Sequence, residues 1–279
     1  MPQKSHLPPR KKQESRDQSS FFRVETDIPC LKIHVFRQKL RLLLYNEVFP
    51  RIDRPLFLLK KQKEMKKLVI FDLDGTLLNT IADLAQSTNH ALQALGYPTH
   101  ELSEYPFMVG NGINKLFERA LPEGEKTAEN ISRMRAEFIP YYNVHNADMS
   151  HPYPGIQALL NRLQALGIQV AVASNKYQEA TTKLIRHYFP NIHFAAVLGQ
   201  REGFPVKPDP CIVYDILRAT AVSPADVLYV GDSGVDMLTA RNAGVEACGV
   251  TWGFRPRTEL EEYTPAHIVD KVEDLEKLC

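Results

Sequence analysis

The sequence predicts an α/β protein: a parallel sheet between two helical layers, with an all-helical segment inserted after the first strand. Three observations carry this. From Met65 onward, short apolar runs rich in β-branched residues alternate with segments of helical periodicity, the pattern of a doubly wound domain. That alternation has one long interruption, between about residues 80 and 150, where only helical periodicity is found. The first apolar run, Leu68-Val69-Ile70-Phe71, leads directly into Asp72-Leu73-Asp74-Gly75-Thr76. Two carboxylates therefore stand beyond the carboxyl end of a strand, where open parallel sheets bind ligands.

The elements follow in order. A run as uniformly apolar as 68–71 suits a central strand covered on both faces. After the Asp-Gly turn, Ile81, Leu84, Ala85, Leu92 and Leu95 share one helical face, closed by Gly96 and Pro98. A second helix is expected from Ile113 through Leu116, Phe117 and Ala120, and a third over about 126–141. The α/β pattern resumes with Ile156, Leu159, Leu160, Leu163 and Leu166, a helix stopped by Gly167 and followed by a strand over 168–173. Further strands are expected at 194–198, 227–230 and 247–251. Five strands with four right-handed crossovers give a three-layer, Rossmann-like core with all carboxyl ends on one edge. The expected division is a core of 65–81 and 151–279 and a helical cap of 82–150.

Composition narrows the function classes. With 279 residues, 44% of them hydrophobic and 24% charged, the chain can bury a full core. No apolar run reaches the length of a membrane span, so no membrane partner is expected of the core. Cys30, Cys211, Cys248 and Cys279 show no CxxC pair or zinc-site spacing, which fits reduced thiols and a cytoplasmic location. The net charge of +1 hides an asymmetry: residues 1–64 hold 15 Lys or Arg against 7 Asp or Glu, and residues 65–279 hold 19 against 26. The first twenty residues are polar, lack the apolar centre of a secretory signal and are expected to be disordered. From Leu31 to Leu59 the chain is basic with apolar interleaving, broken at Pro50 and Pro55. One account is a basic arm for nucleic acid or anionic lipid, around a core serving as a scaffold. The favoured one is upstream sequence outside the fold, because Met65-Lys66-Lys67 opens directly onto the first strand.

Polar groups gather on the edge where Asp72 and Asp74 sit. The strand from Ile168 leads to Ser174-Asn175-Lys176, and the strand from Val227 leads to Gly231-Asp232-Ser233-Gly234-Val235-Asp236. Between them, Val206-Lys207-Pro208-Asp209-Pro210 fixes a lysine ahead of a helix starting near Cys211. Singly these would be a helix cap, a surface lysine and first-turn acids. Together they suit holding a phosphate against a hard cation. Phosphate-ester hydrolysis needs a nucleophile, an acid for the leaving oxygen and cations for the remaining oxygens. Asp72 is expected to be the nucleophile, forming an aspartyl-phosphate, and Asp74 the general acid and base. Oxygen-only ligands favour Mg2+, held by the carboxylates of Asp72 and Asp232 and the main-chain carbonyl of Asp74. Lys207 is expected to neutralise nucleophile and phosphate, Ser174 and amides near Gly75 to donate to phosphate oxygens, and Asp236 to orient the metal site or Lys207 from behind.

In this order the four segments resemble the haloacid dehalogenase superfamily of phosphatases: DxDGT, a Ser or Thr at the second strand end, a Lys, then an acidic GDxxxD. The resemblance covers nearly all of 65–279. Val109-Gly110-Asn111-Gly112, Tyr153-Pro154-Gly155, Ser174-Asn175-Lys176, Lys207-Pro208-Asp209-Pro210 and Gly231-Asp232-Ser233 are similar to bacterial phosphoglycolate phosphatases. The resemblance implies catalytic Asp72, Asp74, Ser174 and Lys207, metal ligands Asp72, Asp74 and Asp232, and a small α-helical cap. Substrate contacts are expected at Thr76, Asn111 and Asn175. The implied substrate is a small phosphorylated metabolite, 2-phosphoglycolate first; a phosphosugar mutase or pyrophosphatase is the rival within the fold. One departure stands out: many relatives carry an acid and then Ser just after DGTL, where this chain has Asn79-Thr80. It bears on the substrate more than on the reaction.

Overall fold

The structure, a computed structural model, describes residues 65–279. The expectations for residues 1–64 lie outside the described residues. Six strands form one parallel sheet: β1 (Leu68–Phe71), β4 (Gln169–Tyr177), β5 (Phe194–Gln200), β6 (Val227–Gly231), β7 (Glu246–Val250) and β8 (His267–Val269). Their order is β5-β4-β1-β6-β7-β8. Leu68 of β1 lies opposite Gln169 of β4 and Val227 of β6, so the three central strands start in step. The chain builds outward through β4 and β5 and then returns to β6 on the other side of β1. Strand order thus reverses between β1 and β6, which opens a crevice at their carboxyl ends.

Alternation along β1 explains the three layers. Val69 and Phe71 pack with Val170, Val172, Leu228 and Val230 under the helix Ile156–Ala165. Leu68 and Ile70 pack with Ala171, Ala173 and Tyr229 under the helices Cys211–Thr220 and Gly234–Ala243. A third apolar cluster is separate from both. It is built from α1 (Ile81–Ala94), α2 (Tyr105–Met108), α3 (Ile113–Ala120) and α4 (Ala128–His145), with Leu92, Tyr105, Leu116, Phe117, Met134 and Phe138 at its centre.

The inserted helices join the core through a short antiparallel ribbon. Leu78 and Asn79 (β2, Leu78–Asn79) pair with Pro152 and His151 (β3, His151–Pro152). Asp83, buried in the first turn of α1, accepts hydrogen bonds from Met149 N at 3.0 Å, Ser150 N at 2.8 Å and Ser150 Oγ at 2.6 Å. A buried carboxylate satisfied in this way ties the point of exit to the point of return.

Three expectations are corrected. The sheet has six strands, not five, because β8 has only three residues, too few to show a period-2 pattern. The strand expected over 168–173 runs on to Tyr177, so Ser174, Asn175 and Lys176 lie within it; its pairing with β5 shifts register between Ala173 and Tyr177. A register break of this kind re-aims side chains near a strand end. The helix expected to end near 141 continues through exposed Pro140 to His145.

Candidate active site

The carboxyl end of β4 and the loops that follow β1, β5 and β6 bring the polar groups together. Asp72 leaves β1 with its main-chain N–H on Val230 O at 2.9 Å. Its Oδ1 accepts from Leu73 N at 2.7 Å and meets Lys207 Nζ at 3.0 Å. Among the described residues its Oδ2 receives no hydrogen bond, so one oxygen is neutralised and the other is left for chemistry. Lys207, only 2% exposed, also donates to Asp236 Oδ1 at 2.8 Å and Ala173 O at 2.9 Å.

Asp236 is fully committed. Tyr229 donates to its Oδ1 at 3.2 Å, alongside Lys207, and Ser233 donates Oγ to its Oδ2 at 2.6 Å as the cap of the helix that follows β6. Asp232 accepts Phe254 N at 2.8 Å on Oδ2 and Thr76 Oγ at 3.3 Å on Oδ1. Backbone presses on it from two sides. A Cβ on Gly75, which holds φ +85°, would lie 2.2 Å from Asp232 Oδ2, and one on Gly253 would lie 2.2 Å from Asp232 Cβ. Only glycine permits this approach at both positions.

Carboxylate oxygens of Asp72, Asp232 and Asp236 lie within 4.8 Å of one another. Three buried carboxylates against the one ammonium of Lys207 leave two negative charges in excess. The electrostatic consequences are large. Burial pushes the Asp72 carboxyl up to about 7, opposed by Lys207 and reinforced by Asp236 and Asp74. Burial, then the charges of Asp236 and Asp72, holds Asp232 well above the carboxylate range. Burial lowers Lys207, but Asp236 and Asp72 more than reverse this and leave it well above its ordinary value. Oxygen donors, a charge excess of two and a glycine-lined cradle fit a hard divalent cation. Each oxygen of Asp236 already takes two protein donors, the Lys207 ammonium among them. Among the described residues each oxygen of Asp232 takes a single neutral donor and Asp72 Oδ2 takes none, so Asp72 and Asp232 are the acids better placed to hold it.

Asp74 faces away from this cluster. Its Oδ1 accepts from Thr80 Oγ at 2.7 Å and its Oδ2 from Lys176 Nζ at 3.0 Å. A pocket of about 40 Å3 lies between the strand edge and the inserted helices, the space of a few ordered waters. Asp72, Asp74, Ser174, Asn175 and Lys176 line its core side; Leu84, Val109, Ile113, Leu116, Phe138 and Tyr142 line the opposite wall. Ser174 Oγ accepts from Lys176 N at 3.2 Å, which leaves its own proton to donate.

Of the three expected substrate contacts, Asn175 lines the pocket, and Thr76 and Asn111 do not. Thr76 is fully buried with its hydroxyl on Asp232 and does not line the pocket. Asn111 is turned to Arg119, whose Nη2 donates to its Oδ1 at 2.8 Å, and it too is outside the lining. Asn175 lines the pocket but spends both N–H bonds, on Gly110 O at 3.0 Å and Lys207 O at 3.1 Å, while its Oδ1 accepts Lys207 N at 2.8 Å. It therefore joins the inserted helices to the lysine loop. Gly112 lets the same loop come close: at φ +84°, a Cβ there would lie 3.2 Å from Gln200 Oε1. Sequence reasoning missed Thr80 and Lys176 as partners of Asp74. Thr80 sits in the one departure from the motif, and Lys176 ends the run Ser174-Asn175-Lys176, where the motif assigns a role to the serine.

Fold and site define a Rossmann-like hydrolase whose chemistry sits at a strand edge under inserted helices. The family model for haloacid dehalogenase-like hydrolases matches residues 69–250. A phosphoglycolate phosphatase of Vibrio parahaemolyticus serotype O3:K6 is 33% identical over 215 residues, covering 75% of this chain and 94% of that relative. One of Agrobacterium fabrum is 35% identical over 204 residues, covering 71% and 87%. The crystal structure of a predicted phosphoglycolate phosphatase from Haemophilus somnus matches with a TM-score of 0.70 at 29% identity, over 76% of this chain and 97% of that one. The chain belongs to the haloacid dehalogenase-like hydrolases, and it is an enzyme of the phosphatase class.

Proposed function

We propose that the protein is a Mg2+-dependent phosphatase that hydrolyses a small phosphate monoester, 2-phosphoglycolate first, through an aspartyl-phosphate. The observation that carries this is the cluster of three buried carboxylates around one ammonium, beside a second acid, Asp74, held by Thr80 and Lys176. Asp72 Oδ2 attacks phosphorus, the ester P–O bond breaks, and Asp74 gives a proton to the departing oxygen. Water then attacks the aspartyl-phosphate, Asp74 takes its proton, and phosphate leaves with Asp72 restored. Ser174 Oγ–H and the Lys207 ammonium stabilise the phosphoryl oxygens. Asp72, Asp232 and the main-chain carbonyl of Asp74 would hold the cation, which supplies charge neutralisation to the phosphoryl group. Asp236 positions Lys207.

The pocket supports a small substrate. Its far wall is made mostly of aliphatic and aromatic carbon and offers little to the hydroxyls of a sugar, which counts against the mutase alternative. The assignment of 82–150 as a cap over a core of 65–81 and 151–279 is supported by the separate apolar cluster and the β2–β3 ribbon. Among the described residues no helix is long and apolar enough to cross a membrane. We place the enzyme in the cytoplasm on its cysteine usage; Cys211 and Cys248 are free thiols.

The test is phosphate release from 2-phosphoglycolate by the full chain with Mg2+. Asp72→Asn is expected to lower turnover by about 10³-fold or more, since the amide cannot form the covalent intermediate. Undiminished activity in that variant, or after exhaustive chelation, overturns the mechanism.

A further inference from the structure

We propose that Lys176 recognises the substrate at its leaving-group end, selecting phosphate monoesters that carry a carboxylate there over uncharged ones of the same size. This rests on the phosphatase function proposed above and adds to it a residue that no catalytic step uses.

The argument begins with the lining of the pocket. Among the described residues that form it, Lys176 is the one cation; Asp72 and Asp74 are its charged companions, and Lys207 is buried outside the lining. The wall facing the strand edge carries no charged side chain. A monoester seated with phosphorus at Asp72 projects its remaining atoms between that wall and Lys176. An anionic group placed there against two aspartates and an apolar wall is repelled unless a cation meets it.

Lys176 has the capacity to do so. Its side chain is 4% exposed, yet of three ammonium protons only one has a hydrogen-bond acceptor among the described residues, Asp74 Oδ2 at 3.0 Å. The ammonium also lies 4.8 Å from the centre of the Tyr142 ring. Contact with the ring face fixes its height and provides no acceptor for the remaining protons. A buried ammonium with two unspent donors facing a pocket suits a ligand carboxylate, which can accept both. Its placement on a strand, beside a register break and against a ring, makes the recognition rigid.

The experiment compares two near-isosteric substrates with the full chain and Mg2+. 2-Phosphoglycolate ends in a carboxylate, and isobutyl phosphate ends in an uncharged isopropyl group with the same number of heavy atoms. For the native enzyme, kcat/KM is expected to favour 2-phosphoglycolate. Lys176→Met should lower that preference by about 10- to 100-fold, chiefly through KM, the range for one charged hydrogen-bonding contact. Loss of the Asp74 contact slows both substrates and cancels in the ratio. Lys176→Arg keeps the charge and should restore part of the preference, and it remains informative if the methionine variant does not fold. Equal native activity on both esters overturns the proposal and leaves the phosphatase function intact. So does a fall in kcat shared equally by both esters with the ratio unchanged, which would make Lys176 a positioning residue for Asp74 alone. No phosphate release from either ester overturns both.

Discussion

The strand edge and the helical face opposite it are built by different rules. At the edge, Asp72, Lys207, Asp232 and Asp236 each have two or more directional partners, and glycines at 75 and 253 bring backbone within van der Waals contact of Asp232. Side chains so constrained are held by several directional contacts at once. The opposite face is apolar and reaches the core largely through carbonyls: Gly110 O accepts from Asn175 and Val109 O from Arg255. Bonds to a loop carbonyl can be made and broken as a unit, and apolar walls slide at little cost. Chemistry and the charged contacts to substrate are thus invested in the rigid half, and closure over the substrate in the apolar half.

The comparison is most easily broken at Lys207. Lys207→Met leaves Asp72 and Asp236 buried without their cation, which costs about 3–5 kcal/mol when one member of a buried pair is removed. Equilibrium urea unfolding should report a loss of that size, and phosphate release should fall by about 100-fold or more. A loss of stability below about 1 kcal/mol would mean that the edge tolerates its charge excess and is not the rigid half.

A smaller effect separates the two regions by pH. The Asp72 carboxyl is raised from 3.8 to about 7, so the stability contributed by its protonated form is fully present below about pH 4 and is lost as pH rises through 7. Asp232 is displaced in the same direction. The chelated protein should therefore melt lower at about pH 8 than at about pH 5.5. Saturating Mg2+ should raise the melting temperature by about 5–10 °C at the higher pH and much less at the lower. An increment independent of pH would place the cation away from these acids.

How much of this was legible in the sequence follows the same division. Asp72, Asp74, Lys207, Asp232 and Asp236 could be placed at one edge because strand ends in a parallel sheet converge by topology, whatever the side chains do there. The parallel sheet followed from apolar runs of four residues or more, and β8 was lost because three residues carry no period. The opposite face was less legible. Asn111 is expected to touch substrate, and only the fold shows Arg119, eight residues on in α3, donating to its amide oxygen. Asn175 lines the pocket as expected of a substrate contact, but its three hydrogen bonds run to Gly110 and Lys207, partners distant in sequence. Contacts across 30 to 65 residues leave no local pattern. Thr80 is the exception, since the position was marked by an unusual residue before its bond to Asp74 was visible.

The smallest effect is expected at Arg255, and it is the one that isolates the movable half. Arg255 Nη2 donates to Val109 O at 3.0 Å, its guanidinium lies 5.6 Å from the Phe107 ring centre, and Glu259 meets Nε at 3.7 Å. Both Val109 and Phe107 belong to the inserted segment, and Arg255 follows β7 in the core. These contacts exist only while the helices lie against the edge, so they stabilise closure and touch no reacting group. Arg255→Ala should therefore shift the closing equilibrium by about 1–2 kcal/mol, the worth of one charged hydrogen bond with a ring contact. Because productive binding requires closure, KM for 2-phosphoglycolate should rise by about 5- to 30-fold while kcat at saturation changes by less than about threefold. Lys207→Met is expected to do the reverse, with kcat carrying most of the loss. If Arg255→Ala instead lowers kcat as far as Lys207→Met does, closure is part of the chemical step, and the separation between a rigid reacting edge and a closing helical face fails.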